Sequence, residues 1–479
     1  KQSWRLGSVE NGTPGADDPN PLDILPVVVN EALTHSVLPD WDAIELFNPT
    51  GAPADIGNWW LTDDFNTPRK YRIPSETTIP AGEYLVFDES QFNTGPTAFA
   101  LSARGEQVYV FSGDANGDLT GYFHGFSFGA QVRGATFGRH VISTGEEHFV
   151  RQITNTLHGP NSGPLVGPVV VSEINYHPLD IHYPLKDVNN TEDEYLELAN
   201  ITGEPVPLYD PANPGHTWRL RDAVDFQFPT NVILAANERI LVVSFTPTNG
   251  PQLAAFIARN GVPAGVRAFG PWDGQLDNAG DSVELARPDL PEPGPVSEVA
   301  YVLVDQARYQ DAAPWPSEAN GSGPSLHRQI VEAYGNDPAN WVAAARSPGL
   351  PYWNLGIPII TRQPQGATNM VGDPVMLSAS AQGPAPLFYQ WRHDGTAVWG
   401  ATNSTLVMPS ALMSQAGTYD LVVFNASGAV ASDPAVLKLR RSAQITAQPQ
   451  SQMVQPGTNV SLNVRSEERR VGKECRSRW

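Results

Sequence analysis

Residues 40–63 read DWDAIELFNPTGAPADIGNWWLTD, and this stretch decides the fold. Ile44 and Leu46 alternate with Glu45 and Phe47, the period-two pattern of a strand with two different faces. Asn48-Pro49-Thr50-Gly51 is turn chemistry: Asn bonds its own backbone, Pro presets φ, and Gly tolerates positive φ. A second short strand follows, where Trp59 or Trp60 supplies a large apolar body to close a small core.

The pattern returns about 150 positions later, which reads as an internal repeat. Leu196, Glu197 and Leu198 stand where Ile44, Glu45 and Leu46 stood, and Asn200…Gly203 where Asn48…Gly51 stood. Trp218-Arg-Leu-Arg-Asp222 matches Trp59-Trp-Leu-Thr-Asp63, and Val169-Val-Val-Ser-Glu173 matches Val27-Val-Val-Asn-Glu31. Phe226-Gln-Phe-Pro229 and Leu234–Leu241 answer Tyr71-Arg-Ile-Pro74 and Ile79–Val86. The ordered motifs V-x-x-x-E-[IA], D-x-[IL]-E-L-x-N-x-T-G, W-x-L-x-D and [IF]-P…I-x-x-[GN]-E-x-x-[IL]-[VL] resemble the lamin-tail domain. That resemblance implies a small immunoglobulin-like β-sandwich in two copies, residues 25–165 and 166–350, and carries no catalytic residues with it. The family also occurs in secreted and surface bacterial proteins.

Composition agrees with many short strands joined by rigid turns: 479 residues hold 44 Pro and 42 Gly, with only 17% charged. No apolar run is long enough to span a membrane. A net charge of −21 sets the chain against a nucleic-acid partner. The single cysteine, Cys475, excludes a disulfide framework in the body. Cysteine-free stacked sandwiches suit a bacterial surface protein better than a eukaryotic secreted one.

Residues 357–440 change character. Gly372-Asp-Pro-Val-Met-Leu377, Tyr389-Gln-Trp391 and Ala416-Gly-Thr-Tyr419 resemble a bacterial immunoglobulin-like domain. The resemblance puts Trp391 at the core tryptophan and Tyr419 at the tyrosine corner. Leu377 and Leu421 stand in for the usual cysteine pair. Ile445…Pro449 and Gly457…Leu462 begin a second such domain, residues 443–464, which stops after two strands' worth of chain and has too little to bury both faces. Residues 465–479, with six of the 30 basic residues, read as a non-native end; the other reading is a genuine basic tail. Residues 1–24 resemble the end of a preceding lamin-tail-like copy, so the sequence reads as a fragment.

Chemistry-bearing motifs are few. Asp114-Ala-Asn-Gly-Asp118 alternates oxygen ligands as the first half of a calcium loop does. Two readings stand: a calcium site on Asp114, Asn116 and Asp118, or a solvated Asn-Gly turn between strands. Position 12 of an EF-hand would be Gly125, so an EF-hand is excluded. Gly125-Phe-Ser-Phe-Gly129 matches the nucleophile-elbow spacing, but aromatic neighbours make it a strand. His177, Asp180, His182, Asp187 and 192–194 gather metal-ligand types at no established spacing. The recurrence of Glu31/Glu173 and Glu45/Glu197 reads as shared architecture, with each carboxylate accepting backbone N–H bonds or facing solvent. Trp59, Trp60, Trp218 and Trp391 occupy expected core positions, which leaves no tryptophan platform for a sugar.

The expected protein is all-β, a tandem of immunoglobulin-like β-sandwiches. Its expected role is a non-catalytic spacer, adhesion or interaction segment of a large bacterial extracellular or cell-surface protein. Its partners would be other domains of the same chain, a surface protein or a polysaccharide, with no nucleic acid and no membrane span. The competing expectation makes these modules the ancillary part of a secreted hydrolase or CotH-like kinase.

Overall fold

A computed structural model describes residues 24–37, 40–183, 186–289, 299–352, 356–441 and 445–466. The chain divides into two units between Asn354 and Leu355. The alternating runs at the start of the first unit become β1 (Val28–Leu33), β2 (Ala43–Phe47), β3 (Ala54–Asp55), β4 (Trp60–Thr62), β5 (Tyr71–Arg72) and β6 (Thr78–Ile79). Then come β7 (Tyr84–Asp88), α1 (Glu89–Phe92), β8 (Gly105–Gly113), β9 (Leu119–Gly129), β10 (Thr136–Val141) and β11 (Glu147–Arg151). They build two sheets, ordered β11-β10-β1-β2-β7 and β5-β4-β8-β9, while β3 pairs with β6. Val29, Ile44, Leu46, Leu61, Val108 and Val110 point inward and pack with Trp59. Trp59 is therefore the core tryptophan. Trp60, expected in the core, lies half-buried on the opposite face of β4 with the Arg72 guanidinium over its ring.

The second half of this unit contributes β12 (Val169–Asn175), β13 (Ile181–Tyr183), β14 (Lys186–Val188), β15 (Tyr195–Asn200), β16 (Val206–Pro207), β17 (Tyr209–Asp210) and β18 (Asn213–Thr217). It continues through β19 (Arg219–Asp222), β20 (Val224–Gln227), β21 (Ile233–Leu234), β22 (Arg239–Val243), α2 (Gly250–Asn260), β23 (Arg267–Phe269) and β24 (Asp273–Gly274). It closes with β25 (Gly280–Pro288), β26 (Tyr301–Gln310), β27 (Pro324–Arg328) and β28 (Trp341–Ala345). The sheet β28-β27-β12-β15-β22-β23 repeats β11-β10-β1-β2-β7 strand for strand and adds β23. The sheet β24-β20-β19-β25-β26 repeats β5-β4-β8-β9 and adds β24. Strand β23 pairs parallel to β22, which requires a crossover connection, and α2 supplies it. This helix carries Pro251 in its first turn and ends on Gly261 at φ +66, a left-handed cap that favours glycine.

The shared N-x-T-G motif is a turn filled by its own asparagine. Asn48 Nδ2 donates to the carbonyls of Ala52, Ile79 and Pro80, while its Oδ1 accepts from the Thr50 amide and hydroxyl. Asn200 does the same with Glu204, Leu234, Ala235 and Thr202. One buried side-chain amide thus lies within bonding distance of three carbonyls and ties the turn to a strand that follows it.

The second unit contains β29 (Ile359–Arg362), β30 (Ala367–Met370), β31 (Val375–Ser378), β32 (Ser380–Gln382), β33 (Phe388–His393), β34 (Thr396–Ala397) and β35 (Thr405–Met408). It ends with β36 (Gly417–Asn425), β37 (Gly428–Ala431), β38 (Ala435–Arg440), β39 (Ile445–Ala447) and β40 (Arg465–Ser466). Trp391 packs with Leu377 and Leu421 in one buried cluster. The Tyr419 hydroxyl donates to the Gln415 carbonyl at 2.9 Å, the bond of a tyrosine corner. Tyr419→Phe leaves that carbonyl unpartnered and should lower the second unit's stability by about 1 kcal/mol, read as a shift in its unfolding midpoint. Residues 445–465 are exposed throughout, so the two strands there bury nothing. Cys475, residues 1–23 and residues 467–479 lie outside the described residues.

Candidate functional site

The recurrent glutamates are buried, and they do one job in both halves of the first unit. Glu31 faces Glu45 across β1 and β2, and Glu173 faces Glu197 across β12 and β15. In each case a β-bulge lies just before the first glutamate, at Val29/Glu31 and at Val171/Glu173. A bulge turns an extra residue onto the bulged strand. That residue bonds the opposite glutamate in both copies: Asn30 Nδ2 donates to Glu45 at 2.8 Å, and Ser172 Oγ donates to Glu197 at 2.6 Å.

The remaining carboxylate oxygens hold the segment that follows the last strand. In the first copy the Thr156 amide donates to Glu31 at 2.9 Å, and the His158 amide donates to Glu45. In the second the Ser347 amide donates to Glu173 at 3.2 Å, and the Gly349 amide donates to Glu197 at 2.6 Å. Thr136 and Ser325, at matching places on β10 and β27, each give a hydroxyl to the first glutamate of the pair. Each copy is thus closed by a strap whose alternate amides plug into two buried carboxylates. The second copy adds Arg239, whose Nη1 donates to Glu197 at 2.6 Å, and Tyr195, whose hydroxyl donates to Glu173.

Burial sets the electrostatics. It pushes Glu45 up to about 7, with Glu31 acting in the same direction. It raises Glu173 and Glu197 too, and Glu197 is raised further by Glu173. Glu194, fully buried, is pushed up to about 8. His327 is pushed down to about 4 by burial and is neutral near pH 7. Its Nε2 lies 3.0 Å from Ser325 Oγ and 3.4 Å from Glu173. These three are the residue types of a hydrolytic triad, yet the same ring nitrogen faces both partners. A triad needs opposite ring nitrogens on the nucleophile and the acid. All three side chains are also buried, out of a substrate's reach.

The motif residues fall as follows. Asp114, Asn116 and Asp118 share the turn between β8 and β9. Asp114 Oδ1 accepts from the amides of Asn116 at 2.8 Å and Asp118 at 2.9 Å. Asp118 faces Arg69 at 3.3 Å, and Gly117 takes φ +86. Ser127 lies inside β9 opposite Gln107, in a strand and not at a strand-to-helix elbow. The histidines of the insertion do not converge: His177 Nδ1 meets Asn320, while His182 pairs with Asp187 at 2.6 Å. Asp193 turns away to Arg259 at 2.8 Å. Among the described residues no three His, Cys, Asp or Glu side chains gather as a metal cluster.

The two copies also meet along a seam. Ser143 N donates to Asp337 at 3.1 Å, and His148 Nδ1 lies 3.1 Å from the Tyr334 hydroxyl. The rings of His140 and His148 flank Tyr334, 5.4 and 5.8 Å away. Ala130 pairs with Val302 on the edge strand β26. A cavity of about 400 Å³ opens between them, lined by Phe149 and Arg151 on one side and Arg221, Tyr301 and Gln306 on the other. Sequence pattern offered no signal for this seam, because its residues sit on edge strands and outward faces.

No curated relative matches the chain in sequence. Solved structures similar to it include the I-band fragment I67-I69 from titin, at 17% identity and a TM-score of 0.19, covering 20% of this chain and 37% of that one. Titin domains z1z2 in complex with telethonin match at 23% identity and a TM-score of 0.18, covering 23% of this chain and 63% of that one. The chain thus spans just over a third of the first of these structures. Described strands in stacked sheets, Trp391 and the tyrosine corner establish an all-β, immunoglobulin-like fold. Residues 21–124, which hold the Asn48 turn and the first glutamate pair, match the family Lamin Tail Domain.

Proposed function

We propose that this chain is a non-catalytic, load-bearing segment of a large bacterial extracellular or cell-surface protein, serving as spacer or interaction module. The observation that carries this reading is the strap. In each copy the entering strand and the departing segment lie side by side, tied through buried carboxylates. A pull on the two ends of a copy shears that contact. Single-molecule pulling tests it. Two separate unfolding events from the first unit are expected, each lengthening the chain by about 3.5 Å per residue released. A first unit that extends without force peaks would reject the role. Partners of such a segment would be neighbouring domains, a surface protein or a polysaccharide, met through loops and strand edges.

The Asp114–Asp118 turn is proposed as a weak calcium site, of the kind extracellular modules hold at about millimolar affinity. Asp114 keeps one carboxylate oxygen outside the turn's amide bonds, and Asp118 would exchange Arg69 for the ion. The first unit should melt a few degrees higher in about 5 mM calcium than in chelator. Identical melting curves would remove the site.

A further inference from the structure

Arg151, the last residue of β11, and Arg287, near the end of β25, line one cleft of about 580 Å³ on the seam between the two copies. Pro207, Tyr209 and Trp218 form its apolar wall. Neither guanidinium makes a side-chain hydrogen bond or ion pair among the described residues, and Arg151 Nε is buried without a partner. In a chain with 51 acidic residues against 30 basic ones, two arginines left together with no ion-paired carboxylate among the described residues are out of keeping with the rest. Asp210 lines the same cleft, but it bonds the Ala212 amide and the Asn213 side chain. Asp289 acts on Arg151 only at a distance, while burial and the charge of Arg287 both push the Arg151 guanidinium down, to about 10.

Two guanidinium groups partly withdrawn from water and facing one space are costly when unpaired. An anion between them removes both costs, and the planar guanidinium fork matches a carboxylate or a tetrahedral oxyanion. We propose that this cleft binds a small oxyanion, a carboxylate, sulfate or phosphate group, bridging Arg151 of the first copy to Arg287 of the second. The Tyr209 hydroxyl, also without a partner among the described residues, is a further donor on the wall. Bound there, the anion joins the two copies across their seam. The segment's resistance to bending would then depend on the anions around it. This holds whether or not the chain bears load.

Calorimetric titration of the whole chain with sulfate, phosphate and acetate, each at constant ionic strength in chloride, tests the site. Saturable binding of at least one anion below about 50 mM is expected, with affinity reduced at least tenfold in R151Q and in R287Q. A planar-carboxylate site favours acetate; a tetrahedral site favours sulfate or phosphate. No saturable binding of any of the three would overturn the proposal, and so would binding that both variants retain. Should either glutamine variant fail to fold, R151K and R287K keep the charge and lose the fork. Undiminished affinity in both would be equally fatal. Sulfate raises the melting temperature of proteins in general by exclusion, so binding heats, not melting, are the readout.

Discussion

Replacing Glu197 by alanine should cost the first unit about 3–5 kcal/mol, the range for stripping one partner from a buried charged pair. Glu197 is 1% exposed, and three groups depend on its carboxylate. Arg239, only 14% exposed in its side chain, loses its ion partner at 2.6 Å. The Gly349 amide and the Ser172 hydroxyl lose their acceptor. Of the two carboxylates that hold the strap, only Glu173 is left. Glutamine at the same site keeps the shape and one acceptor oxygen, and it removes a charge that burial and Glu173 both disfavour. Its NH2, however, must face either Arg239 or the Gly349 amide. A loss of roughly 1–2 kcal/mol, one misdirected buried donor, is expected there. Scanning calorimetry separates the effects, because the transition of the Trp391-containing unit serves as an internal reference. A first-unit transition unmoved by Glu197→Ala would mean that the strap is open in solution.

These glutamates mark where sequence reading stops. Their strand, face-alternation and recurrence are plain in the letters, because a period of two is local. Trp59 rather than Trp60 was also accessible: Trp59 shares a face with Leu61, as Trp218 does with Leu220, and all four are buried. The Asn48 and Asn200 turns follow from turn chemistry alone. The clamp does not. Glu31 meets partners 105 and 125 residues away, and Glu173 one 174 residues away. A bulge at Val29/Glu31 or Val171/Glu173 is chosen by pairing with the next strand, and no residue type there announces it. The same limit hides the seam. Arg151 and Arg287 become neighbours only once two sandwiches have docked, and each alone reads as an ordinary surface arginine.

Lowering the pH from 8 to about 5.5 should stabilise the first unit, the reverse of acid denaturation. A carboxyl whose folded pKa is raised binds its proton more tightly in the fold. The stability it contributes is complete below its ordinary value and is lost as pH rises through the folded one. For Glu45 that window runs from 4.5 to about 7. Between pH 5.5 and 8 this residue alone accounts for about 2 kcal/mol, at 1.36 kcal/mol per unit. Glu194, Glu173 and Glu197 act in the same direction over the same range. Carboxylates held low, such as Asp193 beside Arg259 and Glu147 beside Arg139, are ionised in both states there and drop out. Histidines oppose the trend only below about 6.5. His327, His124 and His140 are held neutral by burial, so the unfolded chain takes up protons the fold refuses. The two series cross in mildly acid solution, which puts the stability maximum at roughly pH 5–6. Melting temperatures at pH 5.5 and 8, at one ionic strength, decide the matter, with Glu45→Gln expected to flatten the difference. A first unit equally stable at both would show that the hydrogen bonds these carboxylates accept outweigh burial and keep all four charged in the fold.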